Sequence, residues 1–179
     1  MLLDRSSTRG NPTSRAAVPR VSRLPPLELL YQSHGPAVLR RARQILEDEA
    51  EAEEVLHDVF TSLLLNPDQF SGRCSPMTFL YRMTTNCALG RLRSRRTHRR
   101  LLEAEHGASE EPSHGSPEAR VELQEWLASL PDELAQLAIY HYLDELTQDE
   151  IASVLGCSRQ WVGKLIARLR APARRRPNL

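Results

Sequence analysis

An all-α fold is expected from three features of this 179-residue chain. Apolar residues recur at helical spacing in at least five segments. No run rich in Val, Ile, Thr and Tyr alternates with period two. Helix-start and helix-stop residues punctuate the segments where a helix would need them. The chain has room for one or two small domains.

Residues 1–23 hold five arginines, one acid and scattered Pro, Gly and Ser, so they read as a disordered basic tail. Between Leu27 and Leu46, apolar residues at 27, 30, 31, 38, 42, 45 and 46 predict a helix, which Gly35-Pro36 should kink or split. Ala50 to Leu65 predicts the next, with Val55, Leu56, Val59, Phe60, Leu63 and Leu64 on one side and Asn66-Pro67-Asp68 as its stop. Phe70–Ser75 reads as a loop. Ser75-Pro76 supplies an N-cap and first helical residue for a long helix to about Arg100, through Leu80, Met83, Cys87, Ala88 and Leu92, with Gly90 a weak point inside it. Residues 103–117 show no buried pattern and predict an acidic linker between two helical domains, at 24–102 and 118–172, with a basic tail at 173–179. The second domain opens with Glu118 to Leu130, carrying Val121, Leu123, Trp126, Leu127 and Leu130, followed by Leu134 to Leu143.

Thr147 to Arg170, TQDEIASVLGCSRQWVGKLIARLR, is the densest signal. Thr147 and Glu150 form an S/T-x-x-E capping box. Ile151, Ala152, Val154 and Leu155 give a short helix its buried face, and Gly156 can take the left-handed conformation that ends it. Ser158 can cap a second helix with Val162, Leu165, Ile166 and Leu169 as its stripe. This is a helix-turn-helix, whose second helix usually enters the DNA major groove. A helical hairpin packed in a bundle core would rarely combine both caps, the Ala152/Gly156 spacing and a face of one charge sign.

The net charge of +1 conceals strong segregation. Glu47–Asp58 carries seven acids and no Lys or Arg; Arg82–Arg100 carries seven arginines and no acid; Arg159–Arg176 carries seven bases and no acid. Two basic blocks set apart by acidic ones suggest two nucleic-acid faces. Cys74, Cys87 and Cys157 form no C-x-x-C and fit small packing roles in a reducing compartment. His34, His57, His98, His106, His114 and His141 are scattered without metal-ligand spacing, so neither a metal, a cofactor nor a catalytic residue is expected, and the chain is not expected to be an enzyme. No apolar run nears 18 residues, which excludes a transmembrane helix, and the N-terminus lacks the apolar core of a secretory signal. A transit peptide is matched in composition alone. A cytoplasmic protein is expected.

AEEVLHDVF at Ala52–Phe60, FSGRCSPMTFLYRMTTNCALGRLRSRR at Phe70–Arg96 and the helix-turn-helix occur in an order that resembles the extracytoplasmic-function (group IV) sigma factors of bacterial RNA polymerase, in the sigma-70 family. The resemblance covers about residues 24–100 and 118–172. It implies a region 2-like bundle and a region 4-like domain, with core polymerase (the β′ clamp helices and β flap), promoter DNA and an anti-sigma factor as partners. In the family the second helix docks on the clamp helices; here Glu53, Glu54, His57 and Asp58 would form that contact, with His57 where Gln is usual. The loop and the following helix correspond to the part that opens and reads the −10 element. Gly72, Arg73, Cys74 and Ser75 would form a pocket for a flipped base, and Phe79, where Trp is common, and Tyr81 would stack or wedge. Arg82, Arg91, Arg93, Arg95 and Arg96 would track phosphates. Gly90 stands where the family often has Asp.

For the −35 element, Ser158, Arg159, Gln160 and Lys164 would reach base edges or adjacent phosphates, and Thr147, Arg168 and Arg170 would hold phosphates. Gln160-Trp161 replaces a common Gly-Thr, and Trp161 is expected to pack on the preceding helix or, as the second choice, to lie along the DNA backbone. The acidic linker would thread near the polymerase active channel. The competing reading is an autonomous helix-turn-helix regulator that binds an operator without polymerase; the acidic helix beside a melting-type loop argues against it.

Overall fold

The computed structural model describes residues 23–106 and 117–171. Seven α-helices run in order: α1 Leu27–Leu46, α2 Glu49–Leu65, α3 Pro76–His106, α4 Pro117–Ser129, α5 Asp132–Ala138, α6 Gln148–Leu155 and α7 Arg159–Arg170. Among the described residues there is no strand, as the sequence pattern requires. Of the expected basic tails at 1–23 and 173–179 and the linker at 103–117, residues 1–22, 107–116 and 173–179 lie outside the described residues.

α1, α2 and α3 form the first bundle. α1 is continuous through Pro36, so of the expected kink or split the split does not occur. Proline removes one backbone donor and crowds the preceding turn. The rest of the helix buries Leu30, Val38, Ala42, Ile45 and Leu46, which holds it together across that defect. α2 is capped by Asp48, whose side chain accepts the Glu51 N–H at 2.9 Å. It buries Val55, Val59, Phe60 and Leu63, but Leu64 stays exposed at 66 %, so its apolar stripe is narrower than the sequence suggests. α3 begins at the Ser75 cap, whose Oγ accepts the Thr78 N–H at 3.0 Å. It runs six residues beyond Arg100, so residues 103–106 are helix and not linker. Gly90 causes no interruption, and the space beside it would admit a Cβ.

α4 to α7 form the second bundle, and it packs on the first. α3 contacts α4 and α5, and one hydrophobic cluster runs from Leu30 and Leu80 to Leu137, Ile151 and Leu165. α4 differs from its expected pattern. Leu127 is buried, whereas Val121, Leu123 and Trp126 remain 40–49 % exposed. After α5 the chain takes one wide π-turn over Ile139–Leu143, closed by an Asp144 N–H to Ile139 carbonyl bond of 3.0 Å. The backbone turns through a left-handed residue, Glu145 (φ 54°), directly after Asp144.

Candidate nucleic-acid interface

The helix-turn-helix is built as its residues dictate. Thr147 caps α6 with the full reciprocal box: the Glu150 N–H donates to Thr147 Oγ1 at 3.3 Å and the Thr147 N–H to Glu150 Oε2 at 2.8 Å. Hydrogen bonds from Thr147 hold the Glu150 carboxyl below its ordinary range. Gly156 ends α6 at φ 68°. Ser158 then accepts the Trp161 N–H at 3.2 Å and starts α7. Val162, Leu165, Ile166 and Leu169 are all buried, which fixes the opposite face outward. That face carries Arg159, Gln160, Lys164, Arg168 and Arg170, exposed together with Ser158 and Thr147. Arg159 lies 3.3 Å from Asp149 in a pair exposed by about two thirds on each side. Trp161 packs only in part and keeps 43 % of its surface in solvent.

The first half is arranged differently. Glu53, Glu54, His57 and Asp58 are all exposed on α2, but they divide into two pairs. Glu54 and Asp58 both accept from the Arg91 guanidinium, the latter at 2.6 Å. The hydrogen bond to Asp58, ahead of the one to Glu54, pushes Arg91 further up its already high range. Glu53 and His57 instead border an apolar groove with Tyr31, Leu39, Leu56 and Phe60. Cys87 sits beside Asp58, and burial, then that carboxylate, pushes its thiol up. Cys74, Cys87 and Cys157 are free thiols. Among the described residues no group of three or more His, Cys, Asp or Glu is placed to hold a metal ion.

The arginines of α3 also divide by helical face. Arg91 and Arg95, one turn apart, point at the acids of α2, with Arg95 Nε 2.5 Å from Glu51. Arg93 and Arg96 point at the second half, 2.7 Å from Asp132 and 3.5 Å from Glu125. Arg82 has no acid partner within ion-pair distance among the described residues, and its Nε is buried without a hydrogen bond. The loop at Phe70–Ser75 turns at Gly72, where φ is 68°. Phe70 is buried and meets Phe79 edge-on at 5.2 Å. Arg73, Cys74, Phe79 and Arg82 line a cavity of about 380 Å³, whose far wall is Ser153–Gly156 of the helix-turn-helix.

Tyr81 is tied into a buried network. Its hydroxyl donates to Asp144 at 2.5 Å. Asp144 also receives two hydrogen bonds from Arg41, at 2.5 and 2.7 Å. The Arg41 and Asp144 side chains are only 4 % and 8 % exposed. Arg41 Nε donates to Thr85 at 3.3 Å, and its guanidinium lies over the Tyr81 ring at 4.3 Å. Tyr81 stacks on Tyr140 with centroids 5.7 Å apart. Burial, then the hydrogen bond to Asp144, pushes the Tyr81 phenol far above its ordinary value. Sequence reasoning missed Arg41 and Asp144. A signal existed for Arg41: it falls at a core position of the stripe Val38, Ala42, Ile45, with no acid nearby in sequence to pair it.

Two family descriptions match this chain: sigma-70 region 2 over residues 30–98 and sigma-70 region 4 over residues 120–171. Together they take in more than half of its length. The chain belongs to the sigma-70 family. Among curated proteins, the extracytoplasmic-function sigma factor SigW of Bacillus subtilis strain 168 is 27 % identical over 127 residues, covering 63 % of this chain and 67 % of SigW. Two solved structures are similar at low levels. CnrH, in complex with the cytosolic domain of CnrY, has a TM-score of 0.45 and 21 % identity over 81 % of this chain and 82 % of that one. The sigma factor RpoE with the anti-sigma factor NepR, from Bartonella quintana, has a TM-score of 0.44 and 16 % identity over 80 % and 91 %. The two matched regions are those expected of an extracytoplasmic-function sigma factor, and they make this protein a specificity subunit for transcription initiation rather than an independent operator-binding regulator. Among the described residues no helix is long and apolar enough to cross a membrane.

Proposed function

We propose that this sigma factor reads the −35 element with α7 and opens and reads the −10 element with the Phe70–Ser75 loop and the first turns of α3. The observation that carries the reading is α7: a doubly capped helix-turn-helix presents Arg159, Gln160, Lys164, Arg168 and Arg170 on one exposed face. Arg159 and Gln160, in its first turn, meet base edges; Arg can pair with guanine and Gln with adenine. Arg168 and Arg170, with Thr147 at the start of α6, hold phosphates. In the first half, Gly72 to Ser75 surround an extruded base, Phe79 and Tyr81 stack, and Arg82, Arg91, Arg93, Arg95 and Arg96 follow the backbone. Glu53, Glu54, His57 and Asp58 dock on a basic surface of the polymerase core.

The units are proposed as 24–106 and 117–172, with the linker between them approaching the polymerase active channel. The chain supplies specificity and no catalysis, without a cofactor, and acts in the cytoplasm. A protein of the anti-sigma class is included as an inhibitory partner on the resemblance alone.

A gel-shift assay on promoter fragments tests the central division of labour. Binding that requires core polymerase supports it. Equally tight promoter binding by the isolated chain would overturn it.

A further inference from the structure

We infer that Arg41, Tyr81 and Asp144 form a latch that closes the two halves on each other and keeps the −10-reading surface occupied until the halves separate. The inference rests on the proposed role of α3. Arg41 belongs to α1, Tyr81 to α3, and Asp144 to the end of the π-turn in the second half. Asp144 therefore crosses from one family-matched region to the other and takes three hydrogen bonds there, two from Arg41 and one from Tyr81.

Closure removes the proposed single-strand surface from use in three ways. First, the Tyr81 hydroxyl is tied to Asp144, and the Arg41 guanidinium covers its ring at 4.3 Å with Tyr140 alongside, so the side chain is committed to the cluster and not to a base. Second, the wall of the cavity at Arg73, Cys74 and Phe79 is supplied by Ser153–Gly156, where a base would need to enter. Third, Arg93 and Arg96 are paired with Asp132 and Glu125 of the second half. In contrast, the outer face of α7 stays in solvent. The closed form thus withholds one DNA surface and leaves the other presented.

The latch is of a kind that favours a two-state response. A buried, bidentate Arg–carboxylate pair is stable only with both partners present, because either one alone is a desolvated charge. Opening returns Arg41 and Asp144 to water, where each is satisfied. Closure also carries its own cost. The Tyr140 hydroxyl and the Arg82 Nε are buried without hydrogen bonds in the closed form. Pairs at the rim, such as Arg120 with Glu47, are largely exposed and add little. The apolar cluster shared by the halves also favours closure, and the three-residue cluster adds to it a contribution that a single substitution removes; a partner that binds only the separated halves can tip the balance.

The test compares the full-length native chain with Asp144→Ala, Tyr81→Phe and Arg41→Lys, and with Glu49→Ala as a control at an exposed pair. Tyr81→Phe keeps an aromatic ring for stacking and loses only the hydroxyl. Two quantities are read for each protein: the radius of gyration by X-ray scattering, and affinity for a labelled random single-stranded DNA of about twelve nucleotides without polymerase. Far-UV circular dichroism checks helicity. Asp144→Ala is expected to shift the open-to-closed ratio by on the order of 100-fold, expand the particle and tighten single-stranded DNA binding at least about tenfold. Tyr81→Phe and Arg41→Lys should shift both in the same direction by less, and Glu49→Ala neither. If Asp144→Ala loses its helices, the two milder variants decide. Variants as compact as the native chain overturn the latch, whether or not DNA binding changes. Expansion with no gain in DNA binding upholds the latch and instead defeats the assignment of α3 to the −10 strand.

Discussion

The two halves of this sigma factor carry similar numbers of arginines in their basic segments and use them in opposite ways. On α7 the bases face solvent, and among the described residues their one ion pair is the exposed Arg159–Asp149. On α3 nearly every arginine proposed for DNA is already matched: Arg91 to Glu54 and Asp58, Arg95 to Glu51, Arg93 to Asp132, and Arg96 to Glu125. The difference follows from position. α7 has one buried face against the second bundle, and among the described residues its other face is exposed. α3 is the wall shared by both bundles, so its basic flanks meet acids on either side. A basic run in sequence therefore marks a charge reservoir; only the packing says whether that charge is presented or stored.

The largest effect that bears on this contrast is on stability. Leu80 of α3 is fully buried in the cluster common to both halves. Leu80→Ala should cost about 2–5 kcal/mol in urea unfolding. Both tryptophans, Trp126 and Trp161, lie in the second half. Their fluorescence should nevertheless move with the far-UV signal in one transition. Separate transitions would show that the halves do not share a core.

Next comes the presented surface. Arg159→Ala should change preference at one −35 position by about 1–3 kcal/mol, read by competition among promoter variants. Arg168→Ala should weaken all sequences alike and lower the salt slope by about one. The opposite pattern would mean that α7 enters the groove by its other end.

Smaller effects probe the helices themselves. Gly90 lies in the uninterrupted middle of α3 with open space at its side, so Gly90→Ala should stabilise by about 0.5–1 kcal/mol in thermal melts. Destabilisation would mean that α3 needs to bend there. At the capping box, the Glu150 carboxyl titrates below its ordinary 4.5, so its contribution is present above that value and is lost as pH falls through the lower one. Glu150→Gln should therefore lower the melting temperature at neutral pH and make little difference at acid pH. An equal deficit at both would exclude the ionised cap.

What could be read from the sequence was local. The caps at Thr147, Ser158 and Ser75, the stop at Gly156 and the stripe of α7 all depend on residues within a turn or two of each other, and all formed as expected. Features set by distant partners were not legible. Pro36 broke the helical pattern on paper, yet the packing of α1 overrode it. Val121, Leu123 and Trp126 are spaced like a buried face, but the first bundle covers only part of α4. The acids of α2 look like a single docking strip; Arg91, 33 residues or more away, claims two of them. Asp144 meets Arg41 across 103 residues, and no period or spacing links them. Arg41, lodged in an apolar stripe, was the one visible hint.

The most direct measurement of the central claim is in vitro transcription with bacterial core polymerase on a library of genomic fragments, followed by mapping of start sites. The expected result is initiation at a discrete set of promoters that share −10 and −35 elements and require this protein. Absence of protein-dependent, promoter-specific initiation with any bacterial core enzyme would contradict it.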